Sequence, residues 1–292
     1  MKKEERRFMI YKIIIIVVVL AVLCLLWARH ISTKGLVVKE YPINTNLLTD
    51  EYDGFKIVQF SDLHFGSTIG INEVVNLVNE INKQNPDIIV FTGDLIEKNI
   101  VISDDNINRF AEELSKLNAN IEILAIMGNH DYDQKEYYDK VNEKMNWKLL
   151  INTYEYVYTE ADTPIVFVGL DDLNDGKPNY KDAYQFLNES TKDLYTVLLL
   201  HEPDQIELIN KGDDENKHDY NLAIAGHSHL GQVRLPYIGA IWTPRGAKKY
   251  YDEHYSFGDN KDLYISGGIG TSSLKLRFFN KPSINVYRFY TK

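Results

Sequence analysis

Cysteine is almost absent from this 292-residue chain: the single one is Cys24. An intrachain disulfide is therefore impossible, and cysteine usage says nothing about an oxidising compartment. Lipidation of Cys24 would call for small residues just before it, and Val22-Leu23 stand there instead. Internal repeats and Pro/Gly/Ser-rich linkers are missing too, so residues 35–292 read as one globular domain. Positive charge is scarce beyond the N-terminus. The chain carries −10 and its first 34 residues +5, which leaves residues 35–292 near −15. Such a domain repels polyanions at long range, and it has no basic stretch interleaved with aromatics. Nucleic acid is not expected as a partner. Small phosphorylated substrates stay open, because a bound metal ion dominates the field around it.

Long apolar runs are also rare; there is one. Residues 13–28 are uninterruptedly apolar, and Phe8–Tyr11 with a snorkelling Lys12 extend the run to 8–28, within the roughly 17–25 residues needed to cross a bilayer. Tyr11 and Trp27 fall near its ends, where interfacial aromatics belong. A cleaved signal peptide would need a small-x-small site, but the exit reads Ala28-Arg29-His30-Ile31. A core helix would keep a polar face, and this run has none. Lys2, Lys3, Arg6, Arg7 and Lys12 precede or begin the span, against Arg29, Lys34 and Lys39 after it. The bias predicts a single-pass cell-membrane protein with residues 1–34 as cytoplasmic tail and anchor, and the domain on the outer face.

Residues 35–54 read as a short strand and connection, with turn signals at Pro42 and Asp53-Gly54. Strand and helix then alternate: strand 55–60, helix 71–84, strand 87–91, helix 106–118, strand 121–126, and a polar helix near 134–146. The second half holds strands at 164–170, 195–200, 220–225, 232–235, 262–267 and 283–290, and a helix near 204–211. Solid Ile/Val/Leu strands between amphipathic helices predict a layered α/β core. The charged stretch 213–219 reads as a solvated loop.

What the chain does have is a series of short polar motifs, each just after an apolar strand. They are Asp62-Leu63-His64, Gly93-Asp94, Gly128-Asn129-His130-Asp131, His201, and Gly226-His227-Ser228-His229, and they hold five of the eight histidines. Alone, each passes for a cap or a turn. In open α/β sheets, however, ligands gather beyond the carboxyl ends of strands, and every motif sits there. Imidazoles, carboxylates and one amide suit Mn, Fe, Zn, Co or Ni better than Ca or Mg, which prefer all-oxygen shells. A pair of ions needs a carboxylate between them, and Asp94 is the natural bridge.

This series resembles the motif set of the calcineurin-like metallophosphoesterases over about residues 55–290. The N-terminal apolar segment and Tyr264–Ser272 further resemble a bacterial membrane-associated branch, the YkuE-like phosphohydrolases, some of which split UDP-2,3-diacylglucosamine. The resemblance implies an α/β fold, a four-layer α/β/β/α sandwich, here preceded by one transmembrane helix. It implies two divalent or trivalent metal ions, with Mn, Fe or Zn expected. Asp62, His64 and His229 would hold one ion, Asn129, His201 and His227 the other, with Asp94 shared. His130 would act on the substrate phosphate without binding metal, and Asp131 would orient His130. The implied activity is hydrolysis of a phosphomonoester, phosphodiester or pyrophosphate bond, in a small-molecule or lipid-linked substrate near the membrane. The alternative is a non-catalytic metal or phosphate sensor on the same fold, which would not need His130. Elsewhere, Arg245 and Arg277 are expected in surface pairs, and His218 and His254 in solvent. Gly267, Gly268 and Gly270 either let backbone approach a ligand or form a tight turn.

Overall fold

The structure is a computed structural model that describes residues 3–211, 219–258 and 260–291. In chain order it contains α1 (Lys3–His30), β1 (Val37–Thr45), β2 (Lys56–Phe60), α2 (Ile71–Lys83), β3 (Ile88–Thr92), α3 (Asp104–Leu114) and β4 (Glu122–Ile126). Next come α4 (Asn129–Asp133), α5 (Lys135–Asn142), β5 (Lys148–Leu149), β6 (Thr153–Val157), β7 (Ile165–Gly169), α6 (Tyr180–Ala183), β8 (Thr196–Leu200) and α7 (Ile206–Asn210). The chain closes with β9 (Leu222–Ala225), β10 (Arg234–Leu235), β11 (Gly239–Ala240), β12 (His254–Ser256), β13 (Asp262–Ile265) and β14 (Ser283–Thr291).

Two six-stranded sheets face one another. One has the order β1-β14-β2-β3-β4-β5, the other β12-β13-β9-β8-β7-β6. The central neighbours β2, β3 and β4 are parallel, as are β7, β8, β9 and β13. The last strand, β14, returns to the first sheet and lies antiparallel beside β2. Successive residues in a strand point to opposite faces, so a solid apolar run supplies two cores at once. Ile57, Ile88, Val90, Leu124 and Ile126 meet Phe167, Val197, Leu199 and Ile224 between the sheets. Val58, Phe60, Ile89 and Phe91 face the helices outside the first sheet, and Val168, Leu198, Leu200 and Ala225 form the outer core of the second. This is the four-layer α/β/β/α arrangement.

The helices cover the sheet for a simple reason. In α2 the buried positions Val74, Leu77, Val78 and Ile81 recur at helical spacing, and the Gly70 amide at its start donates to Glu73 Oε2 at 3.0 Å. In α3, Ile107, Phe110, Ala111 and Leu114 do the same, and Ser103 caps the helix by accepting from the Asn106 amide. Fully burying one such Leu or Phe contributes about 1.5–3 kcal/mol.

Several expectations shift. The polar helix starts at Asn129, earlier than its periodicity suggests, and breaks into α4 and α5 at Gln134. The strand expected at 232–235 shrinks to β10, half of a two-stranded hairpin with β11. The helix expected at 204–211 divides into a 3-10 turn, Pro203–Gln205, and α7. Strand β6 was not expected, because TYEYV is a half-buried edge without a solid apolar run. Residues 213–218, including His218, lie outside the described residues. Helix α1 is long and apolar enough to cross a membrane, and none of its apolar window is buried against the protein. Its C-terminal end does touch the domain: the Arg277 amide donates to Ala28 O at 3.0 Å, and Trp27 packs edge-on against Phe278 with centroids 5.6 Å apart.

Candidate metal centre

Five strand ends converge where the two sheets meet. The turn after β2 places Asp62 and His64, the turn after β3 places Asp94, and the end of β4 gives Asn129 and His130 at the start of α4. His201 follows β8, and His227 and His229 follow β9. Asp62, His64, Asp94, His227 and His229 all adopt left-handed backbone, with φ of 52°, 45°, 63°, 63° and 47°. That conformation costs a non-glycine residue roughly 1–2 kcal/mol, and strained residues cluster at functional sites. The strain is offset by hydrogen bonds that tie the turns to one another. Asp62 N donates to Gly93 O at 2.9 Å and His64 N to Asp94 O at 3.1 Å. His130 N donates to Asp94 Oδ1 at 2.8 Å, and His227 N to Asp62 Oδ1 at 2.9 Å.

The close fit leaves no room for side chains at two glycines. A Cβ on Gly93 would lie 2.6 Å from the Gly128 nitrogen, and one on Gly128 would lie 2.5 Å from Asp94 Oδ1. Gly268 and Gly270 press on the first turn: a Cβ on Gly270 would lie 2.2 Å from Leu63 O, and the Gly270 amide donates to Asp62 O at 2.8 Å. Their backbone therefore braces the Asp62 turn.

The donor atoms form three overlapping groups: Asp62, His64 and His229; His64, Asp94 and His130; Asp94, His201 and His227. His64 Nε2 lies 3.0 Å from His229 Nε2 and 3.6 Å from Asp94 Oδ2. His229 Nε2 lies 3.5 Å from Asp62 Oδ1. On the other side, His201 Nε2 lies 3.4 Å from Asp94 Oδ1 and 3.2 Å from His227 Nδ1. Asp94 thus faces both groups with one oxygen each. Asn129 Oδ1 is buried and has no hydrogen-bond partner among the described residues.

Outer contacts set the rings. His201 Nδ1 sits 2.7 Å from Thr92 O, and His227 Nε2 sits 2.7 Å from Arg245 O. Carbonyls only accept, so these nitrogens carry protons and the opposite ones turn toward the pocket. Arg277, which was expected at the surface, is fully buried. Its guanidinium donates to Gly267 O and Gly270 O and lies 3.2 Å from His229 Nδ1.

Burial depresses the imidazoles of His64 and His229 well below their ordinary value and His227 to about 4, each helped by a neighbouring imidazole. Burial raises Asp62 to about 6. Asp94 is also pushed up by burial, but His130, His201 and His64 outweigh that and hold it well below the carboxylate range. His201 goes the other way: burial lowers it, and Asp94 raises it further. The proton that Asp94 draws onto His201 stands where a cation would, and metal binding displaces such protons. Imidazoles and two carboxylates crowded within 4.8 Å group by group, with an orphaned amide oxygen on Asn129, fit a pair of transition-metal ions.

Asp131 does something other than orient His130. Its carboxylate accepts from the amides of Asp94 (2.9 Å), Leu95 (2.7 Å) and Gly128 (2.9 Å), so it clamps two turns together. The carboxylate beside His130 is Glu97, with Oε1 3.3 Å from His130 Nδ1; the Lys98 amide also reaches that nitrogen, at 3.2 Å. Sequence reasoning passed over Glu97, a charge set directly after the buried Leu95-Ile96. His130 Nε2 points back toward Asp94 Oδ2 at 4.0 Å. Over these groups opens a cavity of about 450 Å³, lined by the polar Lys98, Asn129, His130 and His229 and by the apolar Ile241, Trp242 and Leu274. His254 pairs with Asp262 at 2.7 Å, far along the second sheet edge.

Residues 55–231 match the family model described as calcineurin-like phosphoesterase. A Bacillus subtilis protein called uncharacterized metallophosphoesterase YkuE is 33% identical over 89% of this chain and 88% of its own length. A Danio rerio protein named transmembrane protein with metallophosphoesterase domain is 26% identical over 90% of this chain and 61% of its own length. Among solved structures, a dimetal phosphatase from Danio rerio is 11% identical and covers 74% of this chain and 88% of its own, with a TM-score of 0.43.

Proposed function

This chain belongs to the calcineurin-like phosphoesterase family, and from that premise we propose that it is a phosphohydrolase working with two metal ions. The observation that carries the reading is the pair of donor groups that share Asp94, one oxygen toward each. Asp62, His64 and His229 would hold one ion and Asn129, His201 and His227 the second, with Asp94 shared between them. When bound, Mn, Fe or Zn ions supply Lewis acidity toward the phosphoryl oxygens and a lowered pKa for water. The protein's own part is positional. His130, backed by Glu97, lines the cavity, where it would protonate the leaving oxygen or stabilise charge on the phosphate. Lys98, beside it on the cavity wall, adds a cation for the same oxygens.

Helix α1 anchors the chain in the cell membrane, with residues 1–34 as cytoplasmic tail and span and residues 35–292 on the outer face. The substrate is a small or lipid-linked phosphoester close to the bilayer, not nucleic acid. The test uses the full chain in vesicles with added Mn²⁺, assayed on p-nitrophenyl and bis-p-nitrophenyl phosphate. Asp94→Ala is expected to abolish turnover, and His130→Ala to lower kcat by roughly 10²–10⁴-fold while two ions still bind. Two bound ions without turnover of either ester would favour a sensor; no bound metal would overturn the reading.

A further inference from the structure

Part of the cavity lining is apolar, Ile241, Trp242 and Leu274, and it continues onto the surface. Tyr237 is fully exposed at the tip of the β10–β11 hairpin, and next to it Ile238 is 71% exposed. Ile241, Trp242, Leu274 and Phe279 are each more than half exposed as well. Scattered apolar residues on a surface are ordinary, but a contiguous patch marks an interaction site. These residues form one unit. Gln232, at the base of the hairpin, donates through Nε2 to Leu274 O at 2.7 Å and Leu276 O at 3.0 Å. Arg234 N donates to Phe278 O at 2.9 Å, and Phe278 N to Gln232 O at 3.1 Å. The same segment receives the end of α1 through Arg277 and Ala28 and through Trp27 against Phe278 and Phe279.

We propose that this patch is a second membrane contact, which sets the mouth of the cavity against the lipid surface beside the α1 span. Continuity with α1 names the occupant. Trp27 closes the apolar run at the level where interfacial aromatics sit, and Phe279, touching Trp27, begins the patch. Charge agrees. In a domain near −15, exposed Lys275 and Lys281 flank the patch and Lys248 Nζ stands 5.3 Å over the Trp242 ring, which suits anionic headgroups. Aromatic rings with lysines between them are the side chains that settle at a headgroup layer. Because Ile241, Trp242 and Leu274 belong both to the patch and to the cavity wall, a phosphoester carried on a lipid reaches His130 without crossing open water.

The inference rests on α1 being a membrane span, and the test separates the two. With Cys24→Ser as background, single cysteines are placed in the full chain by Val18→Cys, Ile238→Cys, Tyr237→Cys or Val101→Cys. Each is spin-labelled and reconstituted in phosphatidylethanolamine–phosphatidylglycerol vesicles. Collision with oxygen is compared with collision with a water-soluble nickel chelate. Labels at positions 18, 237 and 238 are expected to favour oxygen several-fold over position 101, which lies 94% exposed on another loop. Position 18 in lipid with 237 and 238 as aqueous as 101 overturns the patch alone. Position 18 in water overturns the span and the patch with it. Shielding of 237 and 238 from both reagents assigns the patch to a protein, such as a second copy, and overturns the lipid assignment.

Discussion

His64, Asp94, His130 and Glu97 form a chain in which each residue leans on the next. Glu97 Oε1 stands 3.3 Å from His130 Nδ1 and supports that ring, while Oε2, 3.6 Å from His64 Nδ1, is too far for a hydrogen bond to it. Glu97→Gln keeps the shape and removes the charge. By analogy with carboxylates behind metal-site imidazoles, it is expected to cost about 10–100-fold in activity or metal affinity. Turnover and Mn²⁺ titration on the same sample show which of the two it is. Asp131 answers to another measurement. Asp131→Ala strands three buried amide donors, each worth about 1–3 kcal/mol of lost stability. Its signature is a lower urea midpoint for the protein without metal, an effect that His130→Ala does not share. A midpoint unchanged by Asp131→Ala would sink the clamp.

At the scale of elements, the site is assembled by turns that stiffen one another, while the layers outside are joined by surface pairs. Helix α7 shows the second kind. Lys249 Nζ reaches Glu207 Oε1 at 2.5 Å and the Tyr250 hydroxyl donates to the same oxygen. The Lys249 bond first, then Tyr250, holds the Glu207 carboxyl down at about 2. Its folded value is below its unfolded one, so it stabilises the fold above about pH 4.5, and that gain drains away as pH falls toward 2. Because Glu207 is only half-buried and its partner Lys249 is exposed, the effect is small and shrinks with salt. Urea midpoints at a series of acid pH values are expected to fall less steeply for Glu207→Gln than for the unsubstituted chain. Parallel slopes would show that the contact holds nothing.

For the whole molecule, an apolar core joins the two sheets, the charged turns at their ends are buried, and bound cations would offset the cost of that burial. An ion present at 100 times its Kd stabilises the fold by about 2.7 kcal/mol per site. Removing metal with a chelator is therefore expected to lower Tm, and Asp94→Ala to remove most of the metal-dependent part. Equal Tm with and without chelator would mean that the folded chain does not bind ions at these groups. The end of helix α1 and the apolar rim of the cavity are joined through residues 274–279.

Local rules made much of this protein legible in its sequence. Apolar runs marked β2, β3, β4, β7, β8 and β9, helical spacing marked α2 and α3, and the rule that ligands gather at strand ends located Asp62, His64, Asp94, Asn129, His130, His201, His227 and His229. The uninterrupted run of 13–28 marked α1, because a helix that is apolar on every face and has basic flanks reads as a membrane span and not as a core helix. Tertiary structure alone decided the rest. Whether Asp131 faced His130 or the amides of Asp94 and Leu95 depended on how two turns far apart in the chain came together. Arg277 and Glu97 owe their burial to neighbours in other elements, and a charged residue carries no local mark of that. The pairing of β14 with β2, and of the β10–β11 hairpin with the segment after Leu274, are long-range contacts. Period and propensity describe one segment at a time, so which distant segments share a face is settled only when the chain packs.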